Sequence, residues 1–84
     1  DERPVAAEMR RTLLAMREGI AAGQPRGVVE AEASRRLAEA GFAVDYAAVR
    51  RPDLSVADEG EAGAKVALVA AKLGRTRLID NLEW

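Results

Sequence analysis

At Gly41 the hydrophobic period of this chain changes from that of a helix to that of a strand, and few architectures accommodate the change. Before it, Val5, Met9, Leu13, Met16 and Ile20 recur at spacings of four, four, three and four, which lines one face of a helix over 4–22. Pro4 suits the first turn, where its missing N–H costs nothing, and Asp1 and Glu2 complement the positive end of the helix dipole. Gly23 is a natural stop, whereas Gly19, inside the helix, costs up to about 1 kcal/mol relative to Ala. A second helix over 27–40 places Val29, Ala33, Leu37 and Ala40 on one face, pairs Glu32 with Arg36, and closes at Gly41. The link Gly23-Gln24-Pro25-Arg26 is short enough to make the two helices antiparallel neighbours.

Beyond Gly41, Phe42, Val44, Tyr46 and Ala48 alternate with Ala43, Asp45, Ala47 and Val49, the two-residue repeat of a strand. Arg51-Pro52-Asp53 ends it, and the acidic, Gly-containing stretch 54–64 reads as an exposed connection. Residues 65–71 form a continuous apolar run; Lys72 to Arg75 make a turn around Gly74, and 76–80 follow as a second short strand. Four alanines would allow a helix over 64–73, but β-branched Val66 and Val69 and the adjoining turn favour a strand. Both faces of that strand are apolar, Val66, Leu68 and Ala70 on one and Ala67, Val69 and Ala71 on the other. Such strands are covered on both sides, and two helices shield one side, so a partner domain is expected on the other. The sum is a single α+β domain over 1–84: two antiparallel helices packed on a small three-stranded antiparallel sheet.

Composition narrows function mainly by exclusion. Thirteen basic residues against fourteen acidic leave a net charge of -1, without the basic excess that nucleic-acid binders use against phosphate. No run approaches the roughly 20 apolar residues of a membrane span, and the N-terminus lacks a signal-peptide h-region. The absence of an initiator Met predicts a chain cut from something longer. There is no His and no Cys, which removes disulfides, thiol nucleophiles, imidazole or thiolate metal sites and the commonest general base. A cytoplasmic location is compatible with that inventory.

Few side chains stand out as chemistry. Arg10, Arg11 and Arg17 give the first helix a basic side that Glu8 and Glu18 interrupt, and Arg50-Arg51 is a basic pair at a strand end; both read as solvated charge. Asp58, Glu59 and Glu61 lack the alternating oxygen-ligand spacing of a calcium loop. No Gly-rich run opens a helix as a phosphate loop would, and neither Ser34 nor Ser55 sits in a nucleophile elbow. Arg75, Arg77, Asp80 and Asn81 are the exception, crowding two cations and two hydrogen-bond acceptors onto one short hairpin. An Arg–Asp pair pinning the hairpin, a substrate contact and an interdomain contact all remain open for them.

The same hairpin carries a resemblance. The run Val66 to Asn81 is similar to the C-terminal end of the pantothenate synthetase (pantoate–β-alanine ligase) family, which closes on an apolar strand, a Gly turn and Thr-Arg-Leu-Ile-Asp-Asn; that string stands here intact at 76–81. Upstream, Gly41-Phe42, Val44-Asp45-Tyr46, Val49 and Pro52-Asp53-Leu54 resemble the family's preceding strand and turn. One residue is missing: the family has a Thr between that Asp and the Leu, which alters the local geometry of the loop. The family's His-x-Gly-His and Ser-Ser-Arg-Asn elements are absent.

The resemblance implies an enzyme that joins pantoate to β-alanine at the expense of ATP and Mg²⁺ through a pantoyl-adenylate. It implies a nucleotidyltransferase-like Rossmann domain preceding this one, with this domain as its lid, in an enzyme whose chains pair as a cytoplasmic homodimer. No catalytic, cofactor-binding or metal-binding residue of the family maps onto these 84 positions. Arg75, Thr76, Arg77, Asp80 and Asn81 are the residues expected to face the other domain or the active site. The alternative expectation, from a different functional class, is a stand-alone protein-interaction module; the sequence upstream of Asp1 separates the two.

Overall fold

The computed structural model describes residues 3–58 and 60–84, with side chains from residue 6 onward. Its elements follow in the order α1 (Arg3–Ala21), α2 (Arg26–Glu39), β1 (Ala43–Arg50), β2 (Val66–Leu73) and β3 (Thr76–Glu83). The strands form one antiparallel sheet in the order β1-β2-β3, as the α+β expectation required. The roles assigned to Asp1, Glu2 and the Val5 side chain lie outside the described residues.

Both helices end by the same device. The Gly23 N–H donates to the Ile20 carbonyl and the Gln24 N–H to that of Gly19, each at 3.0 Å, while Gly41 and Phe42 repeat the pattern on Ala38 and Leu37. These paired bonds are the Schellman motif, whose left-handed residue is Gly23 (φ +84°) in one case and Gly41 (φ +98°) in the other. Its hydrophobic partner contact is present at the second helix, where Leu37 and Phe42 are both buried. The short link then folds α2 back along α1, so that Glu8 approaches Arg36 (3.9 Å) near one end and Gly19 faces Val29 near the other. A Cβ on Gly19 would lie 2.9 Å from Val29 Cγ2, which explains a glycine inside a helix. Glu32 bonds Arg35 rather than the expected Arg36.

The core lies between the helices and one face of the sheet. Met9, Leu13 and Met16 of α1 and Val29, Ala33 and Leu37 of α2 pack on Phe42, Val49, Ala67, Val69, Ala71 and Leu82. Thr12, fully enclosed on α1, returns its hydroxyl to the Glu8 carbonyl at 2.9 Å, so no polar group is left bare there.

Strand β1 departs from strict alternation. Its pairing with β2 shifts between Val44 and Tyr46, leaving Asp45 as an extra, bulged residue. The bulge reverses the side-chain phase: Phe42 and Val44 join Ala47 and Val49 against the core, while Tyr46 and Ala48 turn to the other face. The expected grouping of Phe42, Val44, Tyr46 and Ala48 on one side is therefore corrected. Strand β3 also runs three residues beyond the expected 80, and Lys65 and Trp84 extend the ladder by a pair of backbone bonds at 2.9 and 3.0 Å.

Candidate functional site

The hairpin that sequence reasoning singled out is built by β2, the two-residue loop Gly74-Arg75 and β3. Gly74 takes φ +62° and Arg75 stays at negative φ, the pattern of a II′ turn, whose twist matches that of the flanking strands. Arg75, Thr76, Arg77 and Asn81 are exposed, and Asp80 is half-buried. The turn thus projects its cations outward. It does not gather the five residues into one pocket: Arg77 and Asn81 share the helix-free face by alternation, whereas Asp80 shares the phase of core residues Leu78 and Leu82.

An Arg–Asp pair does pin the hairpin, but through a different aspartate. Arg77 Nε donates to Asp45 Oδ2 at 2.8 Å, tying β3 to the bulge of β1 across the central strand. The hydrogen bond that Arg77 donates to Asp45 holds the guanidinium pKa above its usual range. Lys72 sits directly opposite Arg77 in the ladder, a like-charge juxtaposition that is unfavourable alone. Asp45 supplies the counter-charge. Asp80 instead accepts the N–H of its neighbour Asn81 at 2.8 Å.

The uncovered face of the sheet runs on from this cationic end. Row by row it presents Tyr46, Ala70 and Ile79, then Ala48, Leu68 and Asn81, then Arg50, Val66 and Glu83. Ala48, Val66 and Ala70 are already buried by their neighbours, but Tyr46 is 42% and Ile79 60% exposed. Helix side chains close the sheet's two edges instead. Glu30 Oε2 accepts the Val49 N–H at 2.9 Å on the β1 edge, and Arg10 Nη1 donates to the Asn81 carbonyl at 3.3 Å on the β3 edge. Arg10 was expected to be solvated charge. The signal that could have located Glu30 is weak, since nothing in its helical neighbourhood marks it as a strand cap.

The described residues of the 54–64 stretch are largely exposed, as expected of a connection, and Arg51 ties the loop down. Arg51 forks onto Glu61, Nη2 to Oε1 at 2.6 Å and Nε to Oε2 at 2.9 Å. The Arg51 hydrogen bond lowers the Glu61 pKa to about 2. Asp53 Oδ1 accepts both the N–H and the hydroxyl of Ser55, and these bonds hold its carboxyl below the usual range. Leu54, the residue beside the missing Thr, adopts φ +71°. Lys65, 5% exposed, donates its amine to the carbonyls of Glu61 (2.8 Å) and Gly63 (3.0 Å).

A hollow of about 450 Å³ opens between this loop and the α1–α2 link, with Pro25, Ala57, Glu61 and Lys65 among its walls. Glu61 and Lys65 are already committed to those partners. Among the described residues no three carboxylates converge, and Glu59 lies outside them.

Residues 1–83 match the family model described as pantoate-beta-alanine ligase. The chain belongs to that family. It is 57% identical over 84 residues to the pantothenate synthetase of Xanthomonas axonopodis pv. citri (strain 306), covering all of this chain and 30% of that protein. The Xanthomonas campestris pv. campestris (strain B100) pantothenate synthetase is 54% identical over 88 residues, with 31% of it covered. Among solved structures, pantothenate synthetase from Thermus thermophilus superposes with a TM-score of 0.78 at 30% identity, over 95% of this chain and 29% of that one. The chain thus spans about 30% of the length of these pantoate-beta-alanine ligase relatives. No helix among the described residues is long and apolar enough to cross a membrane.

Proposed function

We propose that these 84 residues form the C-terminal lid domain of a cytoplasmic, homodimeric pantoate–β-alanine ligase, preceded in the intact protein by a Rossmann-like domain that binds ATP and Mg²⁺. The observation that carries this reading is end-to-end similarity to pantothenate synthetases over less than a third of their length. The residue inventory supports the division of labour. With no His or Cys in the chain, and with Glu61 bound to Arg51 and Asp53 to Ser55, the described residues present no evident acid–base pair. In that enzyme ATP activates pantoate as an acyl-adenylate with release of pyrophosphate, and the β-alanine amine displaces AMP. The contribution of this domain is to exclude water from that intermediate and to complete the site on closure, with Arg77 and Asn81 of the helix-free face, and Arg75 of the adjoining turn, toward the other domain.

Deleting residues 1–84 from the intact ligase tests the lid role. Pyrophosphate release should continue at a reduced rate while pantothenate formation falls further, so that more pyrophosphate is produced per pantothenate as the adenylate is lost to water. An unchanged ratio of the two products sinks the lid role. Calorimetric titration of the 84-residue chain with ATP should give no heat of binding; micromolar affinity would contradict the assignment of ATP to the other domain.

A further inference from the structure

We propose that the helix-free face of the sheet, centred on Tyr46, Leu68 and Ile79, is the surface that the rest of the same ligase polypeptide docks against. This inference rests on the lid reading and adds to it which side of the domain closes. Three observations select the face and its occupant.

The first is position: the helices cover one side of the sheet, while the other leaves Tyr46 and Ile79 about half exposed in a single row. The second is size. Three eight-residue strands span about 27 by 14 Å, so the whole face projects roughly 400 Å². Taking about 200 Å² for a large side chain, Tyr46 and Ile79 together leave on the order of 200 Å² of it apolar and wet. A stable dimer of free chains needs about 800 Å² from each partner, so a second copy of this domain is a poor occupant. A tethered domain is not, because a linker supplies an effective concentration in the millimolar range and lets a small patch suffice. The relatives, over three times as long, have the remaining chain to supply it.

The third is charge. Lys72 and Arg77 stand opposite each other at the hairpin end of the face, with Arg75 in the adjoining turn and Asp45 bonded to Arg77, so the complementary surface is an apolar patch flanked by carboxylates on that side.

The absence of cysteine from these residues gives a direct test. Ile79→Cys and, on the exposed side of α2, Ala31→Cys are introduced separately into the intact ligase, and maleimide labelling is located by peptide mass spectrometry. With ATP and pantoate present, Ile79→Cys should label at least tenfold more slowly than Ala31→Cys. Equal rates, or slower labelling at Ala31→Cys, overturn the proposal. Protection that grows with protein concentration identifies a second copy as the occupant and overturns it too. Tyr46→Cys provides a second reporter on the same row, expected to follow Ile79→Cys. Turnover is measured on the unmodified enzyme: no pantothenate formation refutes the functional reading, whereas equal labelling with turnover intact refutes only the docking face.

Discussion

Replacing Glu30 separates two ways in which one helical carboxylate can hold an edge strand. Its Oε2 accepts the Val49 N–H at 2.9 Å and Arg50 Nη1 at 3.2 Å, and its Oε1 lies 3.5 Å from Arg26 Nη1. Val49 is 1% exposed, so in Glu30→Ala its N–H loses its acceptor where water enters poorly. An unsatisfied buried donor costs about 1–3 kcal/mol, and the partly exposed arginine pairs add up to about 1 kcal/mol. Improved helix propensity returns only a few tenths. The expected loss is about 2–3 kcal/mol, which in a domain of this size lowers Tm by on the order of 10–20 °C. Glu30→Gln keeps a carbonyl oxygen for Val49 and gives up only the charge, so it should lose less than about 1 kcal/mol. Urea unfolding followed by far-UV circular dichroism measures both, and amide exchange at Val49 should accelerate in the Ala variant alone. Equal destabilisation by the two variants would refute the reasoning, since the charge, and not the strand N–H, would then carry the effect.

Three other outcomes follow from local geometry. Gly19→Ala should be destabilising by about 1 kcal/mol despite a propensity gain of similar size, because its Cβ would press on buried Val29 at 2.9 Å; a higher Tm would show that the helices part freely. Leu54→Gly should raise stability by up to about 1 kcal/mol, since Leu54 is exposed and holds φ +71°; a loss in urea unfolding would contradict that strain. Because the folded pKa of Glu61 lies below its usual 4.5, at about 2, its stabilising effect is complete above pH 4.5 and fades as pH falls from there toward 2. Arg51→Gln should move the Glu61 titration, read by NMR, back toward 4.5 and flatten that part of the pH–stability curve; an unmoved titration would exclude the ion pair as the cause.

What the sequence disclosed was whatever depends on local chemistry. Gly23 and Gly41 marked the helix ends because Schellman closure needs a left-handed residue, and Gly74 marked the hairpin for a related reason. The buried stripe of α1 was legible because Met9, Leu13 and Met16 keep helical spacing. Pairings between distant residues were not. Arg51 and Glu61 meet only once Leu54 has bent the loop backward, and Arg77 finds Asp45 only when β1 and β3 flank the same strand. The candidate residues were located correctly on the hairpin, but their division between two faces required the register.

Asp45 is where those two kinds of information meet. Under strict alternation it would share a face with Val49, and Tyr46 would share one with Phe42, a partition that puts a carboxylate and a buried valine on the same side. The bulge resolves the conflict by inserting one extra residue, so that Val44 and Ala47 both face the core and Asp45 is released to meet Arg77. The phase break was therefore visible in principle, as a hydrophobic pattern that slips by one at a charged residue. Its consequence reaches beyond β1. Turning Tyr46 outward places an aromatic ring in line with Ile79, on the one face the helices leave open. An apolar row that the fold gains nothing by exposing, made by a local irregularity and fastened at its end by an ion pair, is better explained by a surface it meets than by the stability of the domain alone.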